Sequence, residues 1–330
     1  MDTSKVEPTI LAQRYGELQE WLQRIALHAP IEIKPLAGDA SFRRYFRVNL
    51  AGRSYVVMDA PPERERCDAF VRVAHAFKQL GVHVPVVHHQ NLQQGFLLLS
   101  DLGDQLYLPQ LNEDSADLLY ERAFTTLLKI QHGSDTHDDH FPYYSEALLR
   151  AELQLFIEWY LTKYLKITLS IQQQWELERL FSLLIQNALE QPQVCVHRDY
   201  HSRNLLVCGN EVGVLDFQDA VFGAVTYDLV SLLKDCYIDW PLQKVEAWVK
   251  NYYEWLRGAS FALNSSAQFF QWFEWMGLQR HLKCLGIFTR LYLRDQKPGY
   301  LKDIPRVLNY AREVCRRYSE LSVLLKWLEA

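Results

Sequence analysis

The segment His197-Arg198-Asp199-Tyr200-His201-Ser202-Arg203-Asn204 follows the apolar run Val194-Cys195-Val196. A second apolar run, Val212-Gly213-Val214-Leu215, ends in Asp216-Phe217-Gln218-Asp219. A carboxylate and an amide five residues apart lie on one loop, and a carboxylate at the end of the neighbouring strand can face them across a metal. Asp199 is then placed to orient and deprotonate an acceptor hydroxyl. Asn204 and Asp216 offer the oxygen ligands that hold Mg2+ against the β- and γ-phosphates of ATP. His197 would pin the loop by hydrogen bonding. An isolated Asp or Asn beside a strand is ordinarily a turn former, but these four residues in this order within twenty positions predict phosphoryl transfer. Asp219 is a further carboxylate near the same loop, equally suited to capping a helix.

The elements that must position this loop are legible in the hydrophobic pattern. Leu11, Tyr15, Leu18, Leu22 and Ile25 recur at steps of three and four and predict a helix over Leu11 to Leu27. Short β-like runs follow at Ile31 to Leu36, Tyr45 to Leu50 and Tyr55 to Met58, separated by turn residues, and predict antiparallel hairpins. A helix over Glu65 to Leu80 is capped by Gly81, and strands are expected at Val84 to His88 and Phe96 to Ser100. Beyond Asp101-Leu102-Gly103-Asp104 the pattern is helical: Ser115 to His132, Ser145 to Leu165, Ile171 to Leu189, then Tyr227 onward. The two apolar runs around Asp199 read as one hairpin-like insertion. The predicted class is α+β, with a small antiparallel sheet unit and leading helix over residues 1–102 and a larger helical unit over 103–330.

Bulk properties narrow the partners. With 330 residues, 49% of them hydrophobic, the chain builds a sizeable core, and its net charge of −5 gives no basic excess that would draw it to nucleic acid or anionic lipid. MDTSKVEPTI lacks a basic stretch followed by an apolar one, and no window approaches about 18 uninterrupted apolar residues, so a cytoplasmic location is expected. No obligate protein partner is evident. The six cysteines form no CxxC pair and read as reduced core thiols. His132, His137 and His140, interleaved with Asp135, Asp138 and Asp139, read as a solvated loop ahead of a metal site.

The HxDxxxxN loop with its strand-terminal Asp216 resembles the aminoglycoside phosphotransferase and choline kinase branch of the protein-kinase-like fold. That resemblance implies a bilobal architecture, Asp199 as base, Asn204 and Asp216 as metal ligands, and Asp228 as a structural carboxylate binding the backbone of the loop. Only Ala220 to Thr226 separates Asp219 from the next helix, too short for a peptide-holding segment, so the acceptor is a small molecule. Between the first strands lies Gly38-Asp39-Ala40-Ser41-Phe42-Arg43-Arg44, where Gly38 and Ser41 let backbone N–H groups approach phosphate. The family's third-strand lysine is missing from Tyr55-Val56-Val57-Met58-Asp59, and its charge passes to Arg43 or Arg44. Leu99, Asp101 and Leu102 fall where the family seats adenine.

From about Leu36 to about Tyr310 the chain is similar to the bacterial anomeric kinases that phosphorylate N-acetylmuramate and N-acetylglucosamine at C1 in peptidoglycan recycling. Met58-Asp59-Ala60-Pro61-Pro62 and Gln279-Arg280-His281-Leu282-Lys283 are among the segments that carry this resemblance. It implies an amino-sugar acceptor, and the lactyl carboxylate of N-acetylmuramate wants a cation from Arg203, Arg280, Lys283, Arg290 or Arg294. Lys283 and Arg290, seven residues apart, share a helix face from which Arg280 and Arg294 drift, although any one of these cations is more readily read as a solvated helix charge. Trp240, Trp248, Trp255, Trp272 and Trp275 suit core packing better than a sugar platform. Two other readings stay open: a kinase of aminoglycosides, choline or homoserine, and a nucleotide-binding pseudokinase motivated by the absent lysine.

Overall fold

A computed structural model describes residues 3–27, 29–36, 42–132, 141–259 and 261–329, with side chains from residue 12 onward. The chain divides into two compact units, residues 1–78 with 84–103, and 79–83 with 104–330. In the first, α1 (Thr3–Ile25) leads into β1 (Ile33–Leu36), β2 (Arg44–Leu50) and β3 (Arg53–Asp59), then α2 (Cys67–Gln79), β4 (Val87–Asn91) and β5 (Phe96–Ser100). The strands form one antiparallel sheet in the order β1-β2-β3-β5-β4. The α1 face visible in the sequence is the face that packs. Leu18 and Leu22, with Trp21, are buried against Phe46, Val48, Val57, Phe96 and Leu98. Leu97 and Leu99 point to the opposite face of β5 and are equally buried, which is why this strand reads as an unbroken apolar run.

Two local features set the sheet's edges. Strand β4 starts at Val87, three residues later than expected, because Pro85 has no N–H to give to a ladder. Val86 N–H instead bonds the Ser100 hydroxyl at 2.8 Å. Gly95 (φ +74°) turns the chain into β5, where a Cβ would stand 1.9 Å from the Ala60 carbonyl oxygen. This approach lets Ala60 N–H reach the Gly95 carbonyl at 2.9 Å and fastens the end of β3.

The second unit is mainly helical: α3 (Tyr107–Gln110), α4 (Ala116–His132), α5 (Glu146–Leu155) and α6 (Ile171–Leu189) precede four short strands. These are β6 (Gln193–Val196), β7 (Leu205–Cys208), β8 (Glu211–Val214) and β9 (Val221–Ala224). There follow α7 (Tyr227–Leu233), α8 (Leu242–Gly258), α9 (Ser266–Leu293) and α10 (Ile304–Arg317). Ser145, Ser170 and Ser265 each cap a helix by accepting the N–H three residues on, and Ser170 closes a reciprocal box with Gln173.

Three expectations are corrected here. The apolar runs around Asp199 do not pair with each other: β6 pairs with β9, and β7 with β8. Strands β7 and β9 have four residues each, and β9 is buried throughout, so neither shows an alternation that a pattern could reveal. The helix expected over Ser145 to Leu165 is α-helical only to Leu155 and continues as a π-helix over Phe156–Tyr164. The change falls where α9 comes closest: a Cβ on Gly286 would lie 2.4 Å from the Leu155 carbonyl carbon. Finally, Arg280 and Lys283 are not solvated helix charges but buried, 3% and 7% exposed. All six cysteines are free thiols, five of them buried. Trp248, Trp272 and Trp275 belong to the core. Among the described residues no helix is long and apolar enough to cross a membrane.

Candidate active site

Strand β6 delivers His197 to the start of the loop, and the β7–β8 hairpin fixes its end, with Leu215 N–H on the Asn204 carbonyl at 2.9 Å. Asp228, fully buried on α7, receives both backbone N–H groups that open the loop, His197 at 2.7 Å and Arg198 at 3.0 Å. Burial pushes the Asp228 carboxyl up to about 7 against those two bonds. The His197 ring spans the loop: Nε2 donates to the Leu215 carbonyl at 2.9 Å, and Nδ1 accepts the Asp199 N–H at 3.2 Å. Burial lowers this imidazole to about 4, so it is neutral at pH 7, in the tautomer those partners require. Asn204 Nδ2 and His201 N–H both bond the Asp199 carbonyl at 3.0 Å.

Two residues beside this frame adopt left-handed backbone conformations without being glycine, Arg198 at φ +77° and Asp216 at φ +59°. Such conformations cost on the order of 1 kcal/mol each and persist where surrounding bonds impose them. Here the imposing bonds are those of Asp228 to Arg198 and of Leu215 to Asn204.

The Asp199 carboxyl is held at about 2. Burial works to raise it, but the charge of Lys283, with His201, Arg280 and Arg198 behind it, outweighs burial. Two of those cations share one anion. Glu152 on α5, 5% exposed, accepts from Arg198 and from the Tyr144 hydroxyl, and pairs with Lys283 at 3.0 Å. Lys283 also donates to the Tyr227 hydroxyl at 3.1 Å. Sequence reasoning misses Glu152, which sits in an ordinary amphipathic helix. It also misses Asp235, which receives Ser202 N–H at 3.0 Å and the Ser202 hydroxyl at 2.5 Å and so holds the middle of the loop.

After β8, Gln218 Nε2 lies 2.9 Å from Asp216 Oδ1 and 3.2 Å from Asp219 Oδ2, gathering two exposed carboxylates around one amide. Asp219 caps no helix. Of the other expected contacts, Arg203 lies over the rings of Tyr237 (4.5 Å) and Tyr300 (5.8 Å). Arg290 is half-buried two turns beyond Lys283, with no partner for its Nε, and does not join the Glu152 cluster.

In the sheet unit, Gly38 and Ser41 lie outside the described residues, as do His137 and His140. Arg43 pairs with Glu65 at 2.8 Å. Arg44 pairs with Asp59, a fully buried carboxylate at the end of β3 that also takes Arg14 at 2.5 Å. Met58, at the position before it, is apolar and fully buried, and the only cation of β3 is the exposed Arg53 at its far end. Leu99 is flanked by Val56 on β3 and Val87 on β4. The Asp101 carboxylate is engaged by Arg47 at 2.7 Å, Ser54 at 2.5 Å and Gly103 N–H at 3.0 Å. Burial opposes its ionisation, yet those bonds keep it below the usual carboxylate range.

Residues 32–264 match the phosphotransferase enzyme family known as APH. The N-acetylmuramate/N-acetylglucosamine kinase of Pseudomonas putida is 47% identical over 289 residues, 87% of this chain and 85% of that one. The enzyme of the same name from Neisseria meningitidis serogroup B is 39% identical over 318 residues, 94% of each. Among solved structures, a choline kinase from Streptococcus pneumoniae superposes with a TM-score of 0.64 at 11% identity, covering 90% of this chain and 99% of that one. An aminoglycoside phosphotransferase in complex with gentamicin gives 0.60 at 17%, covering 88% and 95%. At such identities these structures establish the protein-kinase-like fold.

Proposed function

Because the chain belongs to the phosphotransferase enzyme family, we propose that it transfers the γ-phosphoryl group of ATP to the anomeric hydroxyl of N-acetylmuramate and N-acetylglucosamine, as a sugar 1-kinase of peptidoglycan recycling. The observation that carries this reading is the Asp199 loop itself, set in a chain 47% identical to a kinase named for those sugars. Asp199 is ionised throughout the physiological range and immobilised through its own N–H and carbonyl. It fixes the sugar hydroxyl in line with phosphorus and receives its proton as the new O–P bond forms and the bond to the leaving ADP oxygen breaks. A carboxylate at about 2 is a weak base, so orientation outweighs proton abstraction.

The donors present suit magnesium. Asn204 Nδ2 is spent on the Asp199 carbonyl, which leaves its Oδ1 for a cation, and the Asp216 carboxylate completes an all-oxygen set of the kind hard divalent ions take. When bound, the ion neutralises charge on the phosphate oxygens. Asp219, bridged to Asp216 through Gln218, is a second-tier carboxylate for the same purpose.

For the missing strand lysine the two arginines are not equivalent. Arg43 and its partner Glu65 are both largely covered, whereas Arg44, which shares Asp59 with Arg14, reaches further into solvent. Arg44 keeps 27% of its side chain exposed and is the cation we assign to the ATP phosphates. Adenine is assigned to the backbone around Leu99, Asp101 and Leu102.

The purified protein, given ATP and Mg2+, is expected to convert both amino sugars to 1-phosphates, identified by product mass and by phosphorus coupling to the anomeric proton. Choline, homoserine and aminoglycosides are the competing acceptors in the same screen. Asp199→Asn should lower kcat by about 10^3-fold while nucleotide binding persists. Transfer to a cationic acceptor in place of the sugars, or full turnover by the Asn variant, defeats this assignment.

A further inference from the structure

Of the cations whose charge acts on Asp199, Lys283 and Arg198 share Glu152 as their partner. On the same loop, Arg203 lies against Tyr237 and Tyr300. Farther along α9, Arg294 is bound to Asp295 at 2.8 Å. Arg280 differs from all of them. It is 3% exposed, its Nη1 donates to the Cys236 thiol at 3.4 Å, and among the described residues no carboxylate pairs with it. A thiol sulfur is a weak acceptor, and a guanidinium has five donors and cannot shed its charge. Removing such a group from water without a hydrogen-bonded anion costs several kcal/mol, of which the charge of the Asp199 carboxylate offsets a part. The fold accepts that cost one helical turn from Lys283, at a position whose charge is felt by Asp199, Tyr227 and His201.

From this we infer that Arg280 receives an anionic substituent of the acceptor, and that it is the residue that admits carboxylate-bearing amino sugars beside neutral ones. This rests on the sugar 1-kinase reading above and names the part of the acceptor that Arg280 recognises. The chemistry fits the two sugars. N-acetylmuramate carries a lactyl ether carboxylate on C3, one ring carbon removed from C1, whereas N-acetylglucosamine has a plain hydroxyl there. With the C1 hydroxyl on Asp199, the carboxylate stays within the neighbourhood that Arg280 occupies. A planar guanidinium offers a carboxylate two parallel hydrogen bonds, which a lysine would not reproduce. Arg280 is therefore a specificity residue, and Asp199 alone handles the reacting hydroxyl.

The test is Arg280→Met beside Arg280→Lys, with steady-state kinetics on both sugars and on N-acetylmuramate whose carboxylate is converted to an amide. In Arg280→Met, KM for N-acetylmuramate should rise about tenfold or more relative to KM for N-acetylglucosamine, with the larger change in KM than in kcat. Arg280→Lys should recover part of that loss, and the amide substrate should be insensitive to the substitution. An equal fall in kcat for both sugars would overturn the inference, because Arg280 would then be serving the phosphoryl group or Asp199. Calorimetric binding of the two free sugars to each protein reads the same preference without turnover. Wild-type protein that phosphorylates neither sugar sinks the parent reading, yet carboxylate-selective binding lost in Arg280→Met would still uphold this one. Absence of selective binding in the wild type removes it. Circular dichroism and the thermal midpoint separate these outcomes from misfolding.

Discussion

Each unit buries a carboxylate between two cations, Asp59 in one and Glu152 in the other, yet the two arrangements do different things. Asp59 in the sheet unit is fully covered and holds Arg14 and Arg44, and Arg44 keeps more than a quarter of its side chain in solvent. Glu152 in the helical unit holds Arg198 and Lys283, whose side chains are 18% and 9% exposed, and takes the Tyr144 hydroxyl as well. In the sheet unit one of the two cations, Arg44, stands partly at the surface. In the helical unit both cations are turned inward, where their charge acts on the carboxylate of Asp199. The same ionic motif thus presents a charge in one place and immobilises a loop in the other, and burial of the cation decides which.

The largest effect expected from breaking this comparison is at Glu152. Glu152→Gln removes the anion from two buried cations, and losing one partner of a buried ion pair costs about 3–5 kcal/mol. Urea unfolding should show a loss of that size. Asp228 still holds the Arg198 backbone, but the Arg198 and Lys283 side chains, freed from their anchor, should shift their charge relative to Asp199, so kcat should fall even where the variant is fully folded. A folded Glu152→Gln protein with undiminished kcat would show that the cluster stabilises the core without positioning Asp199.

A smaller effect comes from pH, and it should be confined to the helical unit. His197 and His281 are buried there, and burial lowers them to about 4 and about 3 from an ordinary value of 6.5. Each is a base with a depressed pKa, so its neutral form supports the fold fully above pH 6.5. That support is lost as pH falls through the folded value. For His197 the shift corresponds to roughly 3 kcal/mol between pH 6.5 and 4. Around β6 the buried Asp228 carboxyl, raised to about 7, works the other way on acidification, so hydrogen exchange at pH 7 and at pH 4.5 should show the amides of α9 around His281 losing protection before those of β3 and β5. Uniform loss across both units would remove the distinction.

What the sequence discloses, and what it hides, follows from the distances involved. His197, Asp199, Asn204 and Asp216 are legible because one loop and one strand end carry them within twenty residues. The α1 face and the buried run of β5 are legible because their periodicities are strong. Glu152 is not, since its partner Arg198 lies 46 residues away and nothing in an amphipathic helix distinguishes a glutamate that faces inward. Arg280 and Lys283 are visible as charges, but a 28-residue helix covered on nearly every side has no polar face from which to read exposure. Strands β7 and β9 escape because four residues hold too little pattern.

The smallest expected effect decides between neighbours that the sequence leaves equivalent. Arg44→Gln removes the surface cation of the Asp59 cluster but leaves Arg14 on the buried carboxylate, at 2.5 Å through Nη2 and 3.1 Å through Nε. Stability should therefore drop by no more than about 1–2 kcal/mol. If the partly exposed Arg44 guanidinium meets the ATP phosphates, KM for ATP should rise about tenfold with kcat less affected, the signature of lost ground-state binding. Arg43→Gln, whose charge Glu65 already neutralises, should move KM for ATP by less than about threefold on the same physical grounds. Asp59→Asn discriminates further: with both arginines released from their anion, it should destabilise the sheet unit more than Arg44→Gln does. If Arg43→Gln produced the larger rise in KM, the assignment would pass to Arg43, and side-chain exposure would no longer explain which arginine meets the ligand.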